Sequence, residues 1–263
     1  MLDVGAGVGY DAIRYLRMGS DVTGIEYNPA SIERGIRSVP EVVRVGGFSH
    51  FLPFRDGQFD VICVNAALHH MRDVKQAFRE MFRALKPGGT LLTSGDPFRP
   101  LNSTEKYELG VFDSHPAVLG GVNEGIPNLE VFLTPIAEFG DAVSGYAITH
   151  ALKSPPDGKH STDLGKGYRR WELNDLPVLG ESSGSIALHL RKTEEIDLKP
   201  SLQTDHVIRA GVYHDAISDL SRTMDLICPV LPDDAVNRPL VPDSQSWFDL
   251  LNGWKTPRPL ENW

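Results

Sequence analysis

The amino-acid sequence predicts a doubly wound α/β fold, in which helices cover both faces of a largely parallel sheet. Two observations lead to this prediction. Short apolar segments alternate along residues 1–98 with segments whose apolar residues recur at helical spacing. The first apolar segment runs directly into closely spaced glycines, as does a strand that turns into a ligand-binding loop.

The stretch LDVGAGVGYDA, residues 2–12, is the most informative part of the chain. Gly5, Gly7 and Gly9 allow a tight turn and let a ligand lie against the backbone. NAD fits poorly, because the dinucleotide fingerprint has its third glycine where this chain has Tyr10. ATP or GTP fits worse, because the turn lacks the lysine of a phosphate-binding loop.

The segments that follow can be assigned in order. We expect strands at residues 1–4, 21–26, 41–46, 59–65 and 90–95, with helices beginning after the glycines, at Asn28 and at Asp73. The third of these helices has apolar residues at 3.6-residue spacing and ends at the LKPGG turn. Farther along, we expect a helix at 129–139 and an antiparallel pair of strands at 143–149 and 185–191.

Four features in this order resemble the class I S-adenosylmethionine (SAM)-dependent methyltransferases: the DVGAGVG turn, Glu26 at the end of the second strand, the FDVICVN strand and the LKPGG turn. The stretch from LPF to FDVI is similar to the branch called methyltransferase type 11. The resemblance implies a Rossmann-like sheet of seven strands, SAM as cofactor and S-adenosylhomocysteine (SAH) as product. The chain departs from the family pattern by starting within its first strand, without the usual N-terminal helices. A further departure is Phe48, where the family has an aspartate that binds the adenine amino group.

The resemblance also implies a set of cofactor-binding residues. Asp3 is expected near the amino-acid part of SAM, and Glu26 is expected to accept hydrogen bonds from two ribose hydroxyls. Phe48 can stack on adenine and Ser49 can offer a polar contact, although Phe48 could equally be a core residue. The candidate cofactor-binding residues are Asp3, Gly5, Ala6, Gly7, Gly9, Glu26, Tyr27, Phe48, Ser49 and Asn65.

Two histidines follow the fourth strand directly. Methyl transfer to a hydroxyl needs the acceptor placed behind the methyl group and a base that takes the hydroxyl proton. Imidazole titrates near neutrality, so His69 and His70 are the candidate catalytic residues; the alternative is that they only shape the loop. The loop lacks the Pro-Pro-aromatic motif associated in this fold with methylation of adenine or glutamine amino groups. A small-molecule or saccharide acceptor is therefore favoured.

Composition restricts the partners. The net charge of −9 and the absence of a basic run argue against a nucleic-acid substrate. Cys63 and Cys228 are the only cysteines, which indicates neither a disulfide framework nor a metal centre. No apolar run approaches the roughly 20 residues that span a bilayer, and no signal peptide is recognised. We therefore expect a cytoplasmic protein that binds neither metal nor membrane, and the oligomeric state stays open.

The sequence predicts a SAM-binding domain at residues 1–192, with an insertion at 153–184, and a C-terminal extension at 193–263. Residues 168–171, YRRW, suit either a sugar- or anion-contacting surface or a structural anchor. Trp247, Trp254 and Trp263 in the extension leave the same choice open. The predicted function is O-methylation of a small molecule or saccharide. The alternatives are a carboxyl, amine or carbon acceptor, and a non-catalytic accessory subunit with a SAM-binding fold.

Overall fold

The computed structural model describes residues 1–71, 73–101, 125–155 and 158–194. The strands are β1 (Leu2–Val4), β2 (Thr23–Glu26), β3 (Val43–Gly46), β4 (Phe59–Asn65), β5 (Leu85–Phe98), β6 (Val143–His150), β7 (Ser161–Gly165), β8 (Tyr168–Glu172) and β9 (Gly184–Lys192). The α-helices are α1 (Ala12–Arg17), α2 (Pro29–Ser38), α3 (Val74–Ala84) and α4 (Glu130–Phe139). In the described part of the chain the strands form one sheet, in the order β3-β2-β1-β4-β5-β9-β6-β8-β7.

The first five strands are parallel neighbours, as predicted. The chain moves outward from β1 to β2 and β3, and then returns to the other side of β1 for β4 and β5. Since crossovers between parallel strands are right-handed, this reversal places α1 and α2 on one face and α3 on the other. Ligands of such sheets bind at the carboxyl ends of the strands beside the reversal, here β1 and β4.

Local signals set the starts of two helices where the sequence predicts them. The Asn28 side chain accepts a hydrogen bond from the Ala30 amide at 3.0 Å, and Pro29 occupies the first helical position. The Asp73 carboxylate accepts from the Gln76 amide at 2.9 Å and begins α3 in the same way. Both caps satisfy amides that have no partner within their own helix.

The main core lies beneath α3. Its apolar stripe, which includes Phe78, Met81 and Phe82, is fully buried against β4, β5 and Phe132 of α4. The buried ammonium of Lys192 donates to the carbonyls of Phe82 and Leu85 at 3.0 and 2.9 Å, and so satisfies the carboxyl end of α3. None of the described helices has the length and apolar character needed to cross a membrane.

The end of the sheet is antiparallel. Strand β9 pairs with β5 on one side and with β6 on the other, which confirms the predicted closing pair. The predicted insertion adds to the sheet as well, because β7 and β8 form a hairpin on the outer side of β6, followed by a 3-10 helix at Leu173–Glu181. The seven predicted strands keep their order, and with β7 and β8 the sheet has nine strands within the described ranges, where the sequence predicted seven.

The hairpin is anchored by Trp171. Its side chain is fully buried, and its indole Nε1 donates to the Thr149 hydroxyl at 2.9 Å. Tyr168, which is exposed, stacks on His150 with 4.2 Å between ring centroids. Within the YRRW segment, the tryptophan is therefore a structural anchor and cannot contact a sugar.

Several predictions concern residues outside the described ranges. These are the C-terminal extension beyond residue 194, the three tryptophans in it, and Cys228. The domain boundary at residue 192 stays a prediction.

Candidate functional site

The glycine-rich turn after β1 is held by hydrogen bonds within the protein. The amides of Gly5 and Ala6 both donate to the Ile25 carbonyl, at 3.0 and 3.1 Å, and the Gly9 amide donates to the Ala6 carbonyl at 2.8 Å. Helix α1, which follows, has only six residues. A ligand can therefore lie close to the backbone of this turn, but several of the turn's amides are already used by hydrogen bonds within the protein.

Two glycines of the turn are required for different reasons. Gly5 has φ +72°, and a Cβ there would lie 2.6 Å from the Cβ of Ala67 in the loop after β4. Gly7 has φ +51°, and a Cβ there would have no neighbouring atom within 4 Å. The backbone at Gly7 thus borders open space that a ligand can occupy, whereas Gly5 lets the turn pack against the neighbouring loop.

Glu26, at the carboxyl end of β2, binds this turn directly. Its Oε2 accepts from the Gly7 amide at 2.9 Å, and its Oε1 accepts from the amides of Tyr27 and Asn28 at 3.0 and 2.9 Å. A carboxylate has about four acceptor sites, so about one remains for a ribose hydroxyl, where the prediction assumed contact with two. Glu26 therefore fixes the shape of the turn, and its contact with a ribose stays a prediction.

Asp3 lies in β1, the strand next to β2, and its side chain is almost completely buried. Burial, together with the charges of Asp11 and Glu26, raises the pKa of Asp3 to about 7, and Arg44 opposes this by lowering the pKa. A cationic group placed beside Asp3 would favour its ionised form. This position suits the ammonium group of an amino-acid ligand.

Two aromatic residues of the predicted cofactor site, Tyr27 and Phe48, lie side by side. Tyr27 and Phe48 are stacked, with centroids 6.1 Å apart and an interplanar angle of 14°, and Tyr27 is 45% exposed. Phe51 donates its amide to the Phe48 carbonyl at 3.1 Å, which makes a tight turn with Ser49 inside it. Phe48 is only partly buried, so it can serve as a stacking surface instead of a core residue.

Asn65 ends β4 and joins two other side chains. Its Nδ2 donates to Oδ2 of Asp11 at 2.7 Å, and its Oδ1 accepts from the Ser94 hydroxyl at 2.7 Å. The side chain is thereby oriented between the start of α1 and β5. Asn65 lies at the predicted edge of the sheet, with much of its hydrogen-bonding capacity used by the protein.

A histidine–aspartate pair lies at the same edge, between the loop after β4 and the end of β5. Nδ1 of His69 is 2.8 Å from Oδ1 of Asp96, which also accepts from the His69 amide at 3.2 Å. Asp96 is fully buried, and its Oδ2 has no hydrogen-bond partner among the described residues. The His70 ring packs against the His69 ring, with centroids 4.0 Å apart.

Sequence reasoning did not select Asp96, Asp11 or Arg44 as site residues. Asp96 carries a signal that could have found it, because it lies at the carboxyl end of a parallel strand, where ligands of such sheets bind. The other two depend on contacts between distant segments. In the described ranges, no group of three or more His, Cys, Asp or Glu side chains could hold a metal ion.

The reversal of strand order, the glycine-rich turn and the acidic residue at the end of β2 are typical of an α/β protein that binds a ligand containing a nucleoside. A family model described as "Methyltransferase domain" matches residues 2–93. The chain is 32% identical over 193 residues to a demethylmenaquinone methyltransferase of Paenarthrobacter aurescens. The aligned region covers 72% of this chain and 68% of that protein. The chain belongs to the class I SAM-dependent methyltransferases.

Two other comparisons are consistent with this assignment. A demethylmenaquinone methyltransferase of Renibacterium salmoninarum is 33% identical over 94 residues, which are 36% of this chain and 40% of that protein. A solved structure from Galdieria sulphuraria, a protein to which sarcosine dimethylglycine methyltransferase activity has been attributed, has a TM-score of 0.50 and 18% identity, covering 74% of this chain and 78% of that one. This structural likeness confirms the fold. The chain spans less than half of the length of the Renibacterium relative.

SAM is the cofactor of this family, and the residues present fit it. The open space at Gly7, the buried acid at Asp3 and the stacked rings of Tyr27 and Phe48 suit its ribose, its ammonium group and its adenine, respectively. The roles of the individual residues stay predictions.

Proposed function

We propose that the protein transfers the methyl group of SAM to a hydroxyl group of a small molecule, with His69 as the general base. The observation that carries this proposal is the 2.8 Å contact between His69 Nδ1 and Asp96 Oδ1. It lies at the sheet edge where the cofactor-binding residues are predicted. A buried carboxylate that orients an imidazole is the arrangement that a histidine general base uses.

The geometry defines what each side chain would do. An ionised Asp96 accepts the Nδ1 proton of His69, which places the ring's lone pair on Nε2. When bound, SAM supplies an electrophilic methyl group on a positively charged sulfur. Nε2 of His69 would take the proton of the acceptor hydroxyl as that oxygen becomes methylated. The carboxylate of Asp96 stabilises the resulting imidazolium, and SAH and the methyl ether are the products.

A small-molecule acceptor is supported by the relatives, which are named for demethylmenaquinone. The net charge of −9 also disfavours a polyanionic acceptor. A saccharide acceptor was favoured in part by the YRRW segment as a sugar-contacting surface. Trp171 of that segment is buried, so it cannot contact a sugar. Methylation of a saccharide therefore stays a prediction without structural support.

Cofactor binding is tested first, by calorimetric titration of SAH into the parent chain, Glu26→Ala and Glu41→Ala. Glu26 binds three amides of the turn region, whereas Glu41 is exposed and serves as the matched control. We expect micromolar binding to the parent and to Glu41→Ala, and at least tenfold weaker binding to Glu26→Ala. A folded parent that does not bind SAH would refute the proposed function.

Transfer is tested next, with isotope-labelled SAM and a panel of phenols, quinols, saccharides, amines and carboxylic acids. We expect label in hydroxyl-bearing small molecules, and mass spectrometry with NMR then identifies the methylated atom. If the label is found on nitrogen, on carbon or on a carboxyl group, the proposed O-methylation is wrong and the protein methylates that kind of atom instead. SAH binding without turnover of any acceptor would favour the accessory-subunit alternative.

A further inference from the structure

Arg44 extends from β3 to the glycine-rich turn. Its Nη2 donates to the Val8 carbonyl at 2.9 Å, and its Nη1 lies 3.5 Å from the Gly7 carbonyl. A third contact joins Nη2 to the Gly35 carbonyl of α2 at 3.5 Å. One guanidinium therefore connects a strand, a helix and the turn predicted to receive the cofactor.

Space for the guanidinium exists only because glycines surround it. A Cβ at Gly9 would lie 2.2 Å from Nη2, and a Cβ at Gly35 would lie 2.8 Å from Cζ. Gly35 is in the middle of α2, where glycine costs about 1 kcal/mol relative to alanine. A glycine at this helix position is explained by the approach of Arg44 and the turn.

The pairing of strands directs Arg44 toward the site. Arg44 of β3 is opposite Gly24 of β2, and Gly24 is opposite Asp3 of β1. Because Gly24 has no side chain, nothing at that position separates the arginine from Asp3 and the turn. Burial lowers the pKa of Arg44, and the charge of Asp3 raises it.

The contacts also determine how the turn presents its backbone. The Gly7 carbonyl faces Arg44, and the N–H of Val8 belongs to the same trans peptide plane, so it points away from the guanidinium. Without Arg44, the carbonyls of Gly7 and Val8 would lose this donor, and the peptide planes could rotate. Glycine residues in the turn make such rotation easy.

We propose that Arg44 is a positioning residue for the cofactor site, holding the Gly7–Val8 segment in the form that receives SAM. This inference rests on the proposed function, because it assumes that the turn binds SAM. Arg44 acts through the backbone of the turn and need not touch the ligand.

The experiment is a calorimetric titration of SAH into the full chain and the variants Arg44→Met, Arg44→Lys and Arg34→Met. Arg34 is exposed on α2 beside Gly35 and is the matched control. We expect Arg44→Met to raise the Kd for SAH at least tenfold, Arg44→Lys to restore part of the loss, and Arg34→Met to stay within twofold of the parent. Partial rescue by lysine is expected because one donor and the positive charge are kept.

A second readout is the pH dependence of SAH binding, which mere destabilisation of the fold would not shift. The groups that act on Asp3 or interact with it are Asp11, Glu26, Arg44, Tyr15 and Cys63. In the parent, binding should strengthen through about pH 7 as Asp3 ionises. In Arg44→Met the inflection should move to higher pH, because the charge that lowers the Asp3 pKa is gone.

The outcomes separate this inference from the proposed function. If the parent does not bind SAH, the proposed function fails. If the parent binds and both Arg44 variants bind equally well, Arg44 is not a positioning residue. Should Arg44→Met unfold, Arg44→Lys decides the question: weaker SAH binding at the parental Tm supports the inference, and parental affinity overturns it.

Discussion

Nδ1 of His69 lies 2.8 Å from Oδ1 of the fully buried Asp96. The pair joins a loop after β4 to the end of β5, so the pairing of two adjacent parallel strands creates it. Such a contact fixes both the orientation and the tautomer of the imidazole.

Replacing either member of this pair should abolish most of the catalysis while leaving cofactor binding intact. We expect His69→Gln and Asp96→Asn to lower kcat by about 10²–10⁴-fold, since general base catalysis contributes that much and an amide at position 96 favours the wrong tautomer. The Kd for SAH should stay within twofold of the parent. Methyl-transfer assays and calorimetry measure the two quantities.

The control for this prediction is His160→Gln. His160 is also near a carboxylate, with 3.4 Å between its Nδ1 and Oδ1 of Asp175, but both side chains are exposed. It should keep parental kcat. If His69→Gln keeps more than a third of the activity, His69 is not the base.

Asp3 should make the folded protein less stable as the pH rises. Its folded-state pKa of about 7 lies above the ordinary value of 3.8, so the folded state keeps a proton that the unfolded state releases between these values. The free energy of unfolding should therefore fall from about pH 4 to pH 7. Asp3→Asn should remove this loss and gain on the order of 4 kcal/mol at pH 8.

Denaturant unfolding at pH 5 and pH 8 measures the effect, with the exposed Asp21→Asn as control. The same Asp3→Asn variant should bind SAH more weakly but bind adenosine normally, because adenosine lacks the ammonium group. Equal stability of parent and variant at both pH values would show that Asp3 does not have a raised pKa.

Phe48 should contribute to binding through the adenine. Phe48→Ala removes a stacking surface, and loss of base stacking of about 1–3 kcal/mol corresponds to about a 5- to 150-fold higher Kd. Calorimetry with SAH and with adenosine should show the same factor for both ligands, since both contain adenine. A loss confined to SAH, or no loss at all, would place the adenine elsewhere.

Trp171 should stabilise the fold without affecting the site. Trp171→Phe keeps an aromatic ring but leaves the buried Thr149 hydroxyl without its indole donor. We expect the free energy of unfolding to fall by about 1–3 kcal/mol and the SAH affinity to stay at the parental value. Urea denaturation checks this, with the exposed Tyr168→Phe as control. A loss of SAH binding without loss of stability would contradict the anchoring role.

Sequence patterns predicted the parallel half of the sheet well, because the signals there are local. Asn28 and Asp73 cap helices within their own neighbourhood, and the apolar run of β4 shows burial on both faces. The antiparallel closing pair was also recognised, from its alternation. In the predicted insertion, the turn between β7 and β8 contains Gly165-Lys166-Gly167, a glycine-rich signal for a hairpin. The hairpin was not predicted, because its two strands are short and alternate only weakly between apolar and polar residues.

The site was predictable only in part, because partnerships across strands have no local signature. His69 was found from its place after a strand, whereas its partner Asp96 is 27 residues farther along. Arg44 required the register that aligns it with Gly24 and Asp3. Residue type and position indicate where ligands bind, and strand pairing decides which side chains act together.

The β7–β8 hairpin has a consequence for how the sheet meets solvent. Among the strands that the structure describes, it covers the hydrogen-bonding edge of β6 and leaves β7 outermost, with only five residues, four of them exposed. Its pairing with β8 is irregular between Asp163 and Gly165, and β3 at the opposite border has only four residues. Short and irregular borders are poor templates for another chain, so the hairpin protects the enzyme fold from edge-to-edge aggregation.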